Sequence, residues 1–307
     1  MSEQVIEEKQ ESHFNVMAFT LLVLGGIAIG TSPIFMRFAD VTPSSSAFWR
    51  LALSIPLLVI WQFIDIKKNT GQPMPGANKK DIKTFIIVGF LFALDLTLWH
   101  WSVQLTSVTN STLLANMAAV FTAIGGFLFF GERFNKTFIG GMALALFGAV
   151  SLMGHSFELE PENLPGDLLS LVTAVAYASY IIYSANARKK FSTVSIMLAT
   201  SLFGSLFLMP IALSETGNFI PTTLVDWWPL FGLAWFTNVI GQSMIVYALA
   251  HLPAAFGSVT LLIQPLVAAI LAWILFSEIL SMYHFIGAAL IISGIIVCKS
   301  GVKKKKK

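Results

Sequence analysis

The sequence predicts an all-α membrane protein of ten transmembrane helices, arranged as two inverted five-helix repeats. Three observations carry that prediction. Of the 307 residues, 56% are hydrophobic and 11% are charged, whereas soluble domains hold about 25% charged and about 45–50% apolar residues. The chain divides at its Lys, Glu, Pro and Gly clusters into ten apolar stretches, each near the ~20 residues that a helix needs to cross a ~30 Å hydrocarbon core. It also matches itself at an offset of 146 residues. These runs are too long and too apolar for strands, and lipid admits only helices or closed barrels.

An acidic tail, residues 1–15, carries Glu3, Glu7, Glu8 and Glu11. The first span, Val16–Phe38, exceeds a signal-peptide core and has no basic segment before it, so it is expected to stay in the mature protein. The second, Ser46–Ile66, has Arg50 about one turn inside. The third, Ile82–Gln104, carries Asp95, the one acid within an apolar core by this division. The fourth, Ser107–Phe130, and the fifth, Thr137–Met153, close a first repeat over residues 16–153. An acidic linker, 154–165, follows. The second repeat, 166–298, holds Gly166–Arg188, Thr193–Leu213, Trp227–Ala250, Ala254–Phe276 and Met282–Val297, and a basic tail, 299–307, ends the chain. Such short loops leave no room for an extramembrane catalytic domain, and the single cysteine, Cys298, cannot form an intramolecular disulfide.

Charge sets the orientation. With the N-terminus inside, all 19 Lys and Arg except Arg37 and Arg50 fall in inner segments, so the positive-inside rule predicts cytoplasmic termini. The self-match pairs Ala123 with Ala269, Phe130 with Phe276, Glu132 with Glu278, Gly141 with Gly287 and Gly148 with Gly294, without a gap. Spans four and five thus resemble spans nine and ten. Five spans separate the copies, an odd number, so the halves cross the bilayer in opposite directions. Inverted repeats are the architecture of many alternating-access transporters.

The segments GTSP at 30–33, AFWR at 47–50, LTSVTNSTLLANMAAVFTAIGGFLFFGERF at 105–134 and LPAAFGSVTLLIQPLVAAILAWILFSEIL at 252–280 resemble EamA-domain members of the drug/metabolite transporter superfamily. The resemblance covers almost the whole chain as two EamA units. It is most specific at Gly131-Glu132, at the degenerate copy Ser277-Glu278, at Gln264-Pro265 and at Arg50. It implies a ten-helix bundle with a central cavity lined mainly by helices 1, 3, 4, 6, 8 and 9, movement of small metabolites and no cofactor. Neither substrate nor direction is fixed by the resemblance.

Asp95 is the leading candidate for substrate contact and for proton coupling, because a carboxylate at a bilayer centre costs about 2.5–3.5 kcal/mol on insertion scales. Thr109, Thr112 and Asn116 form one stripe on span four. Trp235, Asn238 and Gln242 repeat that spacing on span eight, and Thr173, Tyr177, Tyr180 and Ser184 run along span six. With Trp99 and Gln264 they suggest a wet, aromatic-walled chamber suited to an amine-bearing or amino-acid-like substrate, since aromatic faces attract ammonium groups. Hydrogen-bond glue between helices is the competing reading of such stripes. His100, flanked by Trp99 and Trp101, reads as a packed side chain. Arg50, Pro33 and Pro265 are candidate gate or hinge residues, with Asp40 and Glu278 as candidate ionic partners of Arg37 and Arg50. Glu132 and Arg133 read as helix caps or loop ties. Gly140, Gly141, Gly148, Gly287 and Gly294 read as close-packed helix contacts.

No HExxH, P-loop or GxSxG motif occurs, and the histidines show no metal-ligand spacing. The expectation is a secondary transporter in a bacterial inner membrane, exporting its substrate, free of nucleic-acid partners and compatible with a homodimer. An uptake permease for a flat vitamin or nucleoside-like compound is the alternative. An intramembrane enzyme using Asp95 and His100 is the remote one.

Overall fold

The computed structural model describes residues 14–68, 78–106, 108–153, 161–277 and 281–302. Among them, nine helical segments are long and apolar enough to cross a membrane, and Lys136–Leu152 is a shorter apolar helix. The protein is therefore a multi-pass membrane protein. In chain order, span one is α1 (Val16–Gly30) and α2 (Ser32–Phe38), span two α3 (Pro43–Ala52) and α4 (Ile55–Lys68), and span three α5 (Lys79–Leu105). Span four is α6 (Val108–Ala115) and α7 (Ala118–Phe130), span five α8 (Lys136–Met153), span six α9 (Leu164–Ala187) and span seven α10 (Thr193–Ser214). Span eight joins α11 (Trp227–Phe231), a π-helical stretch (Gly232–Gln242) and α12 (Ser243–Ala248). Span nine is α13 (Ala254–Thr260) and α14 (Ile263–Phe276), and span ten is α15 (Met282–Gly301).

Local chemistry starts these helices. Asn15, Thr42, Asn78 and Ser192 accept backbone N–H bonds at the N-termini of α1, α3, α5 and α10, satisfying donors that a helix leaves unpaired. Pro33 and Pro43 sit in first turns, where a missing N–H costs nothing.

The 146-residue offset is written into the backbone. It carries the start of α6 onto that of α13 and the start of α8 onto that of α15. It also carries the break after α6 to within one residue of the break after α13. Gly131, ending α7, has φ +64°, and Ser277, at the same repeat position behind α14, has φ +55°. Serine bears there the left-handed conformation that glycine adopts freely.

Packing follows the same symmetry. Span six packs on spans three and four, and span one on spans eight and nine. Spans two and seven are tied reciprocally. The Ser44 N–H and hydroxyl donate to Glu215 at the end of α10, and the Ser195 hydroxyl donates to Gln62 Oε1 near the end of α4 (2.9 Å). α8 crosses α15 at glycines: a Cβ at Gly141 would lie 2.8 Å from the Gly294 oxygen, one at Gly294 2.7 Å from the Gly141 oxygen, and Gly148 and Gly287 face each other in the same way. Such reciprocity is the mark of a two-fold axis. Gly140 does not share this role: nothing lies within 4 Å of a Cβ built there, because it sits one residue, about 100°, around α8 from Gly141.

Both chain ends of the described structure lie on one face, the terminal face, where Lys299 sits over the Phe14 ring at 4.8 Å. Asp81 and Lys190 form an ion pair at the starts of α5 and α10. On the opposite, far face Trp49 donates to the Phe219 oxygen (2.8 Å) and Thr222 donates to Asp40 (2.7 Å).

Candidate functional site

Between the two three-span groups lies a cavity of about 250 Å³, against the ~10–15 Å³ that holds one water. It has room for a small metabolite. Span one contributes Ile29, Gly30, Ser32, Pro33 and Met36. Span two contributes Ser46, Ala47 and Arg50, and span three Phe92, Asp95, Leu96, Trp99 and His100. Span four supplies Thr112, Ala115 and Asn116, span six Thr173 and Tyr177, span eight Leu233 and Gln242, and span nine Gln264, Pro265 and Ala268. A smaller void of about 30 Å³ shares Asn116, Tyr177 and Gln264 and reaches Ser258 and Leu262.

The breaks in the spans put polar groups here. Span one stops at Thr31, whose hydroxyl bonds to the Ala28 oxygen (2.6 Å), and restarts with Pro33 at the wall. Span four breaks at Asn116-Met117 and span nine at Leu261-Leu262, so Asn116 and Gln264 flank corresponding breaks. Gly25 and Gly30 bring span one against spans eight and nine: a Cβ would lie 2.7 Å from the Gly241 oxygen at Gly25 and 2.9 Å from the Gln264 oxygen at Gly30.

Asp95 and Arg50 are the two charged residues of the cavity wall. The Arg50 guanidinium also stands 6.0 Å from the centre of the Phe92 ring. Opposite charges sharing one low-dielectric site offset part of each other's burial cost. Asp95 thus does not stand alone in the membrane, as the sequence suggested. Span two, absent from the expected cavity wall, supplies the cation.

Of the candidate residues, Asp95, Trp99, Thr112, Asn116, Tyr177, Gln242, Gln264, Arg50, Pro33 and Pro265 line the cavity. Tyr180, Trp235 and Asn238 do not. Tyr180 is fully buried against Phe92, with rings 4.7 Å apart, and accepts a bond from Gln242 Nε2 (3.2 Å). Trp235 is 44% exposed on the outside of the bundle and donates to the Leu53 oxygen (3.2 Å), where span two breaks. Asn238 ties spans two, seven and eight by donating to Ser54 (3.0 Å) and Ser201 (3.2 Å). The reason is the π-helical stretch: its i→i+5 turn is wider than an α-turn, so residues 235, 238 and 242 do not share the face that α-periodicity assigns them. The Thr109 side chain and Glu278 lie outside the described residues.

Ser32, Ser46, Phe92, Thr173 and His100 complete the wall. His100 is 4% exposed, its Nδ1 donates to the Leu96 oxygen at 2.5 Å, and its Nε2 is buried without a partner. A signal for it existed. Phe92, Asp95, Leu96, Trp99 and His100 follow the i, i+3, i+4, i+7, i+8 pattern of a single broad helix face.

Arg37 lies over the Phe276 ring at 3.8 Å. On the terminal side α7 packs on α13. There Glu132, following α7, accepts from the Ala254 N–H at 3.3 Å, capping α13. The repeat mates of these two helices, α14 and α6, both contribute side chains to the cavity wall.

A two-repeat helical bundle with a cavity at its centre, lined by polar and aromatic side chains from both repeats, is the architecture of a membrane transport protein. The comparisons with known proteins agree. The profile of the EamA-like transporter family matches residues 16–154 and 164–299; the chain belongs to this family, within the drug/metabolite transporter superfamily. It is 28% identical over 293 residues to the uncharacterized transporter YetK of Bacillus subtilis (strain 168), covering 93% of this chain and 83% of that one. It is 24% identical over 289 residues to the pseudopaline exporter CntI of Pseudomonas aeruginosa (strain UCBPP-PA14), covering 93% and 96%. A solved crystal structure superposes with a TM-score of 0.78 at 17% identity, over 95% of this chain and 98% of that chain.

Proposed function

We propose that this transporter moves small amino-acid-like or amine-bearing metabolites by alternating access, as a secondary transporter. One observation carries the reading: Arg50 and Asp95, opposite charges, share one cavity of amino-acid size with the aromatic walls of Trp99, Tyr177 and Phe92. A zwitterionic substrate satisfies both, its carboxylate meeting the guanidinium and its ammonium the Asp95 carboxylate. A ligand of single charge leaves one of them compensated only by the other. Exchange of internal for substrate partners keeps buried charge neutral throughout, which lowers the cost of loading the site.

The packing of α7 on α13, whose repeat mates α14 and α6 line the cavity, is read as one half of an alternating cycle. The repeat supplies the other half, with α14 and α6 in the matching roles. The terminal face is assigned to the cytoplasm of a bacterial inner membrane, on the distribution of Lys and Arg. Export is assigned as the direction, which is also the direction in the printed name of the Pseudomonas aeruginosa relative. Asp95 is the candidate proton carrier, its protonation weakening the hold of the site on the substrate ammonium.

Counterflow in proteoliposomes tests this. Vesicles loaded with an unlabelled amino-acid mixture are expected to accumulate labelled leucine, with Asp95→Asn abolishing gradient-driven accumulation. Uptake of nucleosides or vitamins in place of amino acids and amines, indifferent to Asp95→Asn, would replace the reading by that of a flat-metabolite permease.

A further inference from the structure

Cavity-wall residues hold five buried polar atoms without a partner: Ser32 Oγ, Arg50 Nε, His100 Nε2, Asn116 Nδ2 and Gln264 Nε2. Buried polar groups are bonded in the great majority of cases, so unpartnered ones on a cavity wall are the groups that a ligand would satisfy. Their chemistry divides. Arg50, Asn116 and Gln264 present N–H donors, which suit a carboxylate or a carbonyl. His100 differs in kind. Its Nδ1 faces the Leu96 carbonyl oxygen, an acceptor only, so Nδ1 carries the hydrogen and neutral imidazole leaves a bare, unpartnered lone pair at Nε2, on a residue of the cavity wall. The ring cannot swing away to hide that lone pair. It is 4% exposed, and Trp99 packs edge-on at 5.2 Å between ring centres.

A carboxylate such as Asp95 attracts any cation, whereas a neutral acceptor rewards only a hydrogen. We propose that His100 is the specificity residue that restricts the site to ammonium groups still bearing an N–H, admitting primary, secondary and tertiary amines and rejecting quaternary ones. The proposal rests on the amino-acid reading of the cavity and deepens it. A trimethylammonium group keeps its charge and its attraction to Asp95 and to the Trp99 and Tyr177 faces, but it sets a methyl group against Nε2 and leaves that lone pair buried and unmade. Leaving one such bond unmade lowers affinity about ten- to a hundred-fold.

The test is a binding series on the full-length protein in detergent: L-leucine and its N-methyl, N,N-dimethyl and N,N,N-trimethyl derivatives, with affinity read from ligand-induced thermal stabilisation. The wild-type protein is expected to bind the first three within a few-fold and to lose about ten- to a hundred-fold at the last methylation. His100→Ala is expected to abolish that final step, and His100→Gln, which keeps a side-chain acceptor, to restore part of it. The unliganded melting midpoint of each variant reports its folding. A wild-type protein that binds dimethyl- and trimethyl-leucine alike overturns the role of His100 and leaves the proposed function standing, as does a final step that survives in His100→Ala. If no member of the series stabilises the wild-type protein, the amino-acid reading falls and this inference falls with it.

Discussion

At the crossing of α8 and α15, Gly294 gives the sharpest test of what holds the two repeats together. A Cβ added there would lie 2.5 Å from the Ala145 nitrogen and 2.7 Å from both the Ala145 Cβ and the Gly141 oxygen. Two of those three atoms are backbone, so no side chain can move aside. Restoring ordinary contact requires the helices to part by roughly 1 Å, and a gap of 0.5–1 Å forfeits a quarter to a half of each van der Waals contact it opens. In lipid, where helix association depends on such close contact at small residues, overpacking of this kind costs about 1–3 kcal/mol. Alanine returns up to about 1 kcal/mol through helix propensity. Gly294→Ala is therefore expected to destabilise by about 1–2 kcal/mol. Gly140→Ala is the internal control. With nothing within 4 Å of its Cβ, it collects the propensity gain alone and is expected to stabilise by about 0.5–1 kcal/mol. Reversible denaturation in mixed micelles, read by tryptophan fluorescence, measures both. A Gly294→Ala protein as stable as Gly140→Ala would refute the account of the crossing. The double variant Gly141→Ala/Gly294→Ala should lose less than the two single variants together, because one separation relieves both clashes.

Removing one of the two opposite charges in the cavity wall leaves the other buried without its counter-charge, so Asp95→Asn and Arg50→Gln are each expected to cost about 1–3 kcal/mol in stability. The double variant should regain most of that loss in the same denaturation assay yet bind no amino acid, and additive losses would exclude a coupled pair. Ser277→Gly should stabilise by about 1 kcal/mol, since serine holds φ +55° there; an unchanged melting midpoint would count against strain at that cap. Glu132→Ala removes the cap on α13 and should speed alkylation of a cysteine placed at Ser258, which is 5% exposed. Cys298 is buried and should stay silent, and an unchanged labelling rate would mean that Glu132 does not hold the terminal side closed. Trp235→Ala should leave ligand affinity unchanged, because Trp235 lies outside the cavity, whereas Tyr177→Ala should weaken it by titration of the same ligand; equal losses would return Trp235 to the site.

Much of this protein is local and so could be read along the chain. Ten apolar runs specify ten helices because lipid leaves the backbone no other economical way to satisfy its N–H and C=O groups. The repeat was legible as Glu132 over Glu278 and glycine over glycine. The structure adds that Gly131 and Ser277 turn through the same left-handed cap. Most of the cavity residues were legible too, as polar or aromatic positions that lipid would reject.

Other features depend on contacts between residues far apart in the chain, and only the tertiary structure decided them. Arg50 shares the cavity with Asp95 because span two contributes Ser46, Ala47 and Arg50 to its wall, which no pattern within span two records. Asn238 and Trp235 left the site because span eight winds as a π-helix, so an α-helical spacing counted along the sequence assigned them the wrong face. Gly140 and Gly141 are identical in sequence terms, yet one faces open space and the other the backbone of α15. Composition determines which segments enter the membrane, because transfer into lipid is a property of each segment. Which faces meet inside it is a property of pairs of helices, and that is settled only when they pack.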